Sequence, residues 1–389
     1  MPLKPVLIMA GGTGGHVYPA LAVADYLRER GVPLFWLGTR NGLEARVVPD
    51  HNFRLMTINI GGLRGKGLGG WFLAPVRLSL AILQSILVIA RCRPGAVLGM
   101  GGFVSGPGGI AAWLLRVPLF IHEQNAIAGF TNRMLAPLAR LAMEGFPGVF
   151  PSRRRARTTG NPVRAEITRL PGPAQRLAGR NPGTVRLLLL GGSQGARALN
   201  ETFPRALRRL PHGTNLEVWH QTGADHLVAT RRLYEGVPLQ SVKVEPFIDD
   251  MAAAYAWADL VLCRAGALTI AELCVAGLAS ILVPFPFATD DHQTANARVM
   301  SEAGCAILLP EPQLDETALA GLLVELCGNR ARLLGMAEKS RGLGRPDAAR
   351  EVGDVCLEAL RALTERTRDG PRAAHSPDRD RRRRHERHC

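Results

Sequence analysis

One unit occurs twice in this chain: an apolar run, a turn of the form Gly-Gly-Ser/Thr-x-Gly, then a helical pattern. The first copy is Val6 to Ala10, GGTGGH at Gly11 to His16, and a helix-like stretch from Pro19 to Arg30. The second is Val185 to Leu190, GGSQGA at Gly191 to Ala196, and a helix from Arg197 to Leu210. Short apolar runs and helical patterns alternate between them: Leu34 to Leu37, Ala96 to Leu98, Leu119 to His122, and the helix-like Thr131 to Leu138. Continuous apolar strands fit burial on both faces, and alternating βαβ units imply a parallel sheet covered by helices. At 389 residues the chain is too long for one ordinary core. The expected fold is α/β, with two Rossmann-like, doubly wound parallel-sheet domains facing a cleft. Ligands of such sheets bind beyond the carboxyl ends of the strands.

The pattern pauses near Asn161-Pro162, between the arginines at 153, 154, 155 and 157 and the stretch Pro171 to Pro173. This predicts one domain over 1–163, a second over 164–340, a C-terminal helix over 341–363 and a tail over 364–389. The tail from 361 onward holds ten arginines and five acids and ends RDRRRRHERHC, so it is expected to be disordered. Net charge is +15, which invites a nucleic-acid reading. The arginines are scattered and lack interleaved aromatics that would stack bases, so nucleic acid is not an expected partner. Seven cysteines without a CxxC, and no signal-peptide pattern, point to a reducing cytoplasm.

Four glycine-rich turns stand at predicted helix starts: Gly11 to Gly15, Gly99 to Gly109, Gly191 to Gly195, and Ala265 to Thr269. Free backbone N–H groups and the helix dipole suit each to a phosphate. The dinucleotide pattern G-x-G-x-x-G fails at Val17, and no acid follows the second strand. Arg40 there keeps an NADP enzyme open. No Walker motif occurs.

His16, at the mouth of the first loop, is either a packing residue or a general base facing the cleft. Glu123 follows an apolar strand in the same half and is either a reserve base or a helix-capping carboxylate. Glu272 lies one turn into a helix, where a carboxylate could accept two ribose hydroxyls. Asp290, Asp291, His292 and Gln293 form a polar cluster without the spacing of a metal site.

Seven ordered motifs then resemble the MurG family of N-acetylglucosaminyltransferases. They are GGTGGHVYPALAVA, GLRGKG, LGMGGFVSGPGG, HEQNAIAG, TGNPVR, GGSQGARALN and CRAGALTIAEL, spread over about residues 4 to 360. The resemblance implies a GT-B fold and inverting transfer of GlcNAc from UDP-GlcNAc to the MurNAc 4-hydroxyl of lipid I, giving lipid II. It makes the first domain acceptor- and membrane-facing and the second the UDP-GlcNAc domain. It places the donor on Thr13, Gly14, Gly15, Asn125, Arg164, Ser193, Ile248, Ala267, Leu268, Thr269, Ile270, Ala271, Glu272 and Gln293. His16 is the expected base, with Glu123 in reserve. The chain departs from the family pattern at His292, where some members carry paired glutamines. Loop amides and Arg164 can stabilise the leaving diphosphate, so neither metal nor cofactor is expected. A UDP-GlcNAc epimerase shares the fold type and donor and remains the alternative.

The lipid acceptor also implies a peripheral position on the anionic cytoplasmic face of the cell membrane. Leu68 to Ala90 is the most apolar stretch, opened by Trp71, Phe72 and Leu73 and interrupted by Gly69, Gly70, Pro75 and Arg77. Its uninterrupted part, Leu78 to Ala90, would span roughly 20 Å as a helix against a hydrocarbon core of roughly 30 Å. A buried core helix and a surface-lying one are both open for it. Trp71 and Phe72 are expected in the interface, with Arg64, Lys66 and Arg77 meeting headgroups.

Overall fold

A computed structural model describes residues 3–61, 74–152, 155–181, 183–192 and 195–368. Trp71, Phe72, Leu73, Arg64, Lys66, Ser193 and the tail beyond 368 lie outside the described residues.

Two sheets form, and each strand pairing in them is parallel. The first contains β1 (Val6–Met9), β2 (Leu34–Gly38), β3 (Arg54–Thr57), β4 (Ala96–Gly99), β5 (Leu119–Glu123), β6 (Leu141–Glu144) and β7 (Arg157–Thr158), in the order 3-2-1-4-5-6-7. The second contains β8 (Val185–Leu190), β9 (Leu216–Gln221), β10 (Ser241–Glu245), β11 (Leu260–Cys263), β12 (Ala279–Leu282) and β13 (Ala306–Leu308), in the order 10-9-8-11-12-13. The repeated unit in the sequence is therefore a repeated topology. In each sheet the order reverses beside the first strand, between β1 and β4 and between β8 and β11. A crevice opens at such a switch point. The four glycine turns follow those four strands.

The apolar strands explain the layering. β1 and β4 are buried along their whole length, and side chains alternate between two cores on opposite faces of the first sheet. The second sheet is sandwiched in the same way.

The chain passes between the halves twice. The first crossing is 159–164, between β7 and the short helix Ala165–Thr168. The second is 344–347, between the helices Arg330–Leu343 and Ala348–Arg368. The two crossings touch: a Cβ on Gly160 would lie 2.4 Å from the Cβ of Arg345, and Gly160 has φ +79°, which glycine alone adopts without strain.

The expected C-terminal helix is thus shifted: it starts at Ala348 rather than 341 and continues to Arg368. Its Val352, Val355, Cys356, Leu357, Ala359 and Leu360 enter the core of the first sheet, so the last helix of the chain returns to the first half. The tail boundary expected at 364 cuts this helix, which packs Leu360 where a side chain on Gly95 would clash.

The apolar stretch forms a helix, Ala74–Cys92, longer than the uninterrupted run suggested. Pro75 sits in its first turn, where a missing N–H costs nothing. At 19 residues it is about 28 Å long, and by length and composition it could cross a membrane. Ala81, Ser85, Val88, Ile89 and Cys92 face the protein. Val76, Leu80, Leu83 and Leu87 form the opposite stripe and are 53–62% exposed.

Candidate active site

The first glycine turn ends β1 and opens the helix Gly14–Glu29. Its approach side is occupied by the chain itself. Glu44 is fully buried, and its carboxylate accepts from Gly12 N at 2.9 Å and from Thr39 N and Oγ1 at 2.9 and 2.7 Å. Burial works to raise this carboxyl, but the hydrogen bonds outweigh it and hold it below the ordinary carboxylate value. Glu44 thus ties the first glycine turn to the end of β2, on the side of β1 away from the switch point beside β4. The NADP reading that Arg40 kept open is not favoured by the family 28 matches. Thr13 is the N-cap residue and its side chain makes no cap hydrogen bond. The first-turn amides of Gly14 and Gly15 are unpaired within the helix, as at any helix start.

The His16 ring lies against the second glycine turn. A Cβ on Gly101 would stand 2.6 Å from His16 Nδ1, and Gly101 has φ +99°. His16 Nδ1 is 3.1 Å from Gln124 Oε1. The base candidate is therefore half-buried, on a rigid loop pair at the first switch point.

Glu123, the expected reserve base, has both carboxylate oxygens engaged by its own loop. It is 2% exposed. Oε1 accepts from Asn125 N at 3.0 Å and Asn125 Nδ2 at 3.2 Å; Oε2 accepts from Gly129 N and Asn132 Nδ2, both at 2.9 Å. Four N–H donors fill the lone pairs of an ionised carboxylate. Glu123 builds the loop that presents Asn125, and it offers no free oxygen to a substrate.

Asn125 Oδ1 accepts from Asn296 Nδ2 at 3.2 Å. Asn296, fully buried, also donates to Ala265 O at 3.2 Å and accepts from Ala126 N at 2.7 Å. One asparagine therefore joins the HEQN loop of the first half to the fourth glycine turn of the second. Its role is invisible in the sequence, because its first-half partners are 170 and 171 residues away.

The fourth glycine turn opens the helix Ala267–Ala276, capped by Gly266. The C-terminal end of this helix is held by arginines. Arg176 donates to Ala276 O and, at 2.6 Å, to Gly277 O, while Arg341 donates to Val275 O. Burial pushes Arg176 down to about 10, still charged at neutral pH. Two cations at the negative end leave the positive end free to face an anion in the cleft.

Glu272 sits in this helix, 4% exposed. Arg164, from the first crossing, reaches its Oε1 with Nε at 3.2 Å and Nη2 at 2.9 Å. Tyr255 Oη donates to Oε2 at 2.9 Å. The Arg164 guanidinium stands 5.7 Å from the Tyr18 ring centroid, in the helix that starts at Gly14. First half, crossing and second half therefore meet at Arg164.

Ile248 is 3% exposed, and its N–H donates to Gln221 Oε1 at 3.1 Å. Gln221 Nε2 donates to Gly192 O at 3.0 Å, so one glutamine ties the loop of Ile248 to the third glycine turn. Gln293 accepts from Phe285 N at 2.9 Å, and Asp290 pairs with Arg133 of the first half at 3.5 Å. The residue runs Ala267 to Ala271 and Gly14 to His16 open two helices, one from each half, that contact each other. Gln124, Gln221, Tyr255 and Asn296 are additions that sequence reasoning missed.

Comparison with known proteins fits this geometry. Residues 6–143 match the Glycosyltransferase family 28 N-terminal domain, and residues 186–352 match the family 28 C-terminal domain. A protein of Alkalilimnicola ehrlichii is 56% identical over 92% of this chain and 99% of its own length. One of Nitrosococcus oceani is 55% identical over 91% and 98%. Both are named UDP-N-acetylglucosamine–N-acetylmuramyl-(pentapeptide) pyrophosphoryl-undecaprenol N-acetylglucosamine transferase. The crystal structure of Acinetobacter baumannii MurG aligns with TM-score 0.79 at 40% identity, over 91% of this chain and 99% of that one. A UDP-GlcNAc 2-epimerase from Neisseria meningitidis aligns with TM-score 0.62 at 12% identity, over 92% and 100%, a likeness of fold alone.

Proposed function

The chain belongs to glycosyltransferase family 28, and on that premise we propose that its cleft carries out inverting GlcNAc transfer with His16 as the base. The enzyme moves GlcNAc from UDP-GlcNAc to undecaprenyl-pyrophosphoryl-MurNAc-pentapeptide, converting lipid I to lipid II in peptidoglycan synthesis. One observation carries the assignment of the site: the first-half helix start, Arg164 and the second-half Glu272 converge on one cleft.

In this reading Glu272 takes the ribose hydroxyls, and Ile248 lies at the nucleobase. The amides that open Ala267–Ala276, with Arg164 and Ser193, hold the diphosphate. Thr13, Gly14, Gly15, Asn125 and Gln293 complete the donor site. His16 Nε2 takes the proton from the MurNAc 4-hydroxyl as its oxygen attacks C1 of GlcNAc. The C1–O bond to the diphosphate breaks on the opposite side, so the anomeric centre inverts and UDP departs. Helix-terminal amides and Arg164 stabilise the charge that develops on the leaving group.

Incubation with labelled UDP-GlcNAc and a soluble lipid I analogue tests this reading. The expected product is the disaccharide with inverted anomeric configuration. Acceptor-independent epimerisation at C2 of the sugar, without transfer, would replace this reading by the epimerase one. Truncation after Arg368, which spares the helix packed on the first sheet, should leave that activity within a few-fold. A folded truncation without activity would give the arginine tail a part in turnover.

We further propose that the first domain lies on the anionic cytoplasmic face of the membrane without crossing it. The helix Ala74–Cys92 supports this: its inner stripe packs on the sheet layer while Val76, Leu80, Leu83 and Leu87 point outward. Trp113 and Leu114, on the neighbouring helix Ser105–Leu114, are each 51% exposed. Arg77 and Arg91 on the first helix, with Arg93 and Arg116 just past the ends of the two, are exposed, as an anionic surface requires. Exchanging Leu80, Leu83 and Leu87 together for Gln should lower binding to anionic liposomes about tenfold or more, without unfolding the protein. High salt should also release the wild type. Retention after both treatments, with release by detergent alone, would mean that the helix inserts.

A further inference from the structure

The surroundings of His16 decide which of its ring nitrogens carries the proton. Gln124 is 1% exposed and has three polar neighbours. The carbonyl of Met100, an acceptor only, lies 2.9 Å from one end of its amide. That end must be the NH2 group. The opposite end, 3.1 Å from His16 Nδ1, is then the amide oxygen, which can only accept. So Nδ1 bears the hydrogen, and the neutral ring keeps its lone pair on Nε2.

A second histidine holds the amide from behind. His122 is fully buried, and its Nε2 is 2.9 Å from the carbonyl of Gly160. A carbonyl accepts, so His122 carries its hydrogen on Nε2. Burial pushes this imidazole down to about 4, so it is neutral at physiological pH. Its Nδ1 therefore accepts, and the second Gln124 N–H reaches it at 3.3 Å. Both donors and the oxygen of Gln124 are used, and no alternative orientation satisfies Met100 O and His122 Nδ1 together. The anchor, Gly160, belongs to the first crossing between the halves.

We propose that Gln124 and His122 are positioning residues for the transfer, holding His16 in the Nδ1–H tautomer so that Nε2 is the base presented to the acceptor hydroxyl. This rests on the reading of His16 as base. Neither residue touches substrate. They act as the outer partner of a functional histidine commonly does, by setting tautomer and ring orientation.

The test uses the full-length enzyme with 15N-labelled histidine. The His16 ring signals are assigned by their loss in His16→Ala, and its tautomer is read from the nitrogen shifts. In the wild type the expected form is Nδ1–H. Gln124→Met keeps the volume but removes the acceptor. It should give a tautomer mixture and lower kcat about 10- to 100-fold, the loss usual for an outer partner, with KM for UDP-GlcNAc within about twofold. Gln124→Glu, kept protonated by burial and donating its O–H to Met100 O, keeps an oxygen toward Nδ1 and should restore the Nδ1–H form and most of kcat. A wild-type His16 protonated on Nε2 would overturn the proposal, and so would a Gln124→Met enzyme with unchanged tautomer or unchanged kcat. Should Gln124→Met fail to fold, the wild-type tautomer and the Gln124→Glu enzyme still decide. A His16→Ala enzyme with normal kcat would sink the base reading separately, since the tautomer measurement does not depend on that role.

Discussion

His16→Ala should lower kcat by ~10²-fold or more, the usual contribution of a positioned general base. KM for UDP-GlcNAc should move little. The ring stands at the first switch point, against Gly101 and Gln124, whereas Ile248 and Glu272, which would hold the nucleoside, belong to the second half. Removing the ring takes away an interaction made as the proton moves, so kcat falls and ground-state donor binding stays. Steady-state kinetics on a soluble acceptor at saturating donor separate the two. Near-normal kcat in a folded variant would remove His16 from the chemistry. Glu123 is a poor replacement, because four N–H groups already fill its carboxylate. Its substitution should disturb the Asn125 loop, and with it KM and thermal stability, before it touches proton transfer.

Much of this site was legible because its signals are local. Glycine turns after apolar runs mark the ends of buried parallel strands, and β1, β4, β8 and β11 end where those turns begin. Pairing order then follows from the right-handed βαβ rule. The cross-links were not legible. Asn296 meets Asn125 and Ala265, Gln124 meets His16 and Met100, and Glu44 meets Gly12; each pairing joins residues far apart in sequence and leaves no period to read. Glu123 shows the limit well. Its place at the end of a buried strand is readable, but nothing local says that Gly129 and Asn132 curl back onto it. The C-terminal helix was misplaced for a related reason. Its apolar face packs on the helix Gly14–Glu29, more than 300 residues upstream, and the helical period alone cannot name that partner. In Ala74–Cys92, Pro75 and Arg77 look like interruptions by residue type alone. A first-turn proline and an exposed arginine are both compatible with a helix start.

Glu272→Ala should weaken UDP-GlcNAc binding by ~1–3 kcal/mol, the loss expected for a charge-assisted hydrogen-bond site. The structure explains why the effect stops there. Oε1 receives two N–H bonds from Arg164, and Oε2 receives one O–H bond from Tyr255. An ionised carboxylate accepts about four hydrogen bonds, so roughly one position stays open. On the proposed reading, two ribose hydroxyls would need Arg164 to give up at least one of its two bonds to Oε1. The guanidinium lies at the first crossing, beside the first-half helix start, where the diphosphate would offer it a new anionic partner. Donor binding would then exchange partners rather than add them, and the cost of loosening Arg164 from Glu272 would offset part of the gain. A double-mutant cycle isolates the contact: UDP and its 2′,3′-dideoxy analogue are titrated into wild type and Glu272→Ala. The wild type should lose affinity when the hydroxyls are removed, and the variant should be nearly indifferent. Equal losses in both proteins would place the ribose elsewhere, and unchanged UDP affinity in a folded Glu272→Ala enzyme would do the same.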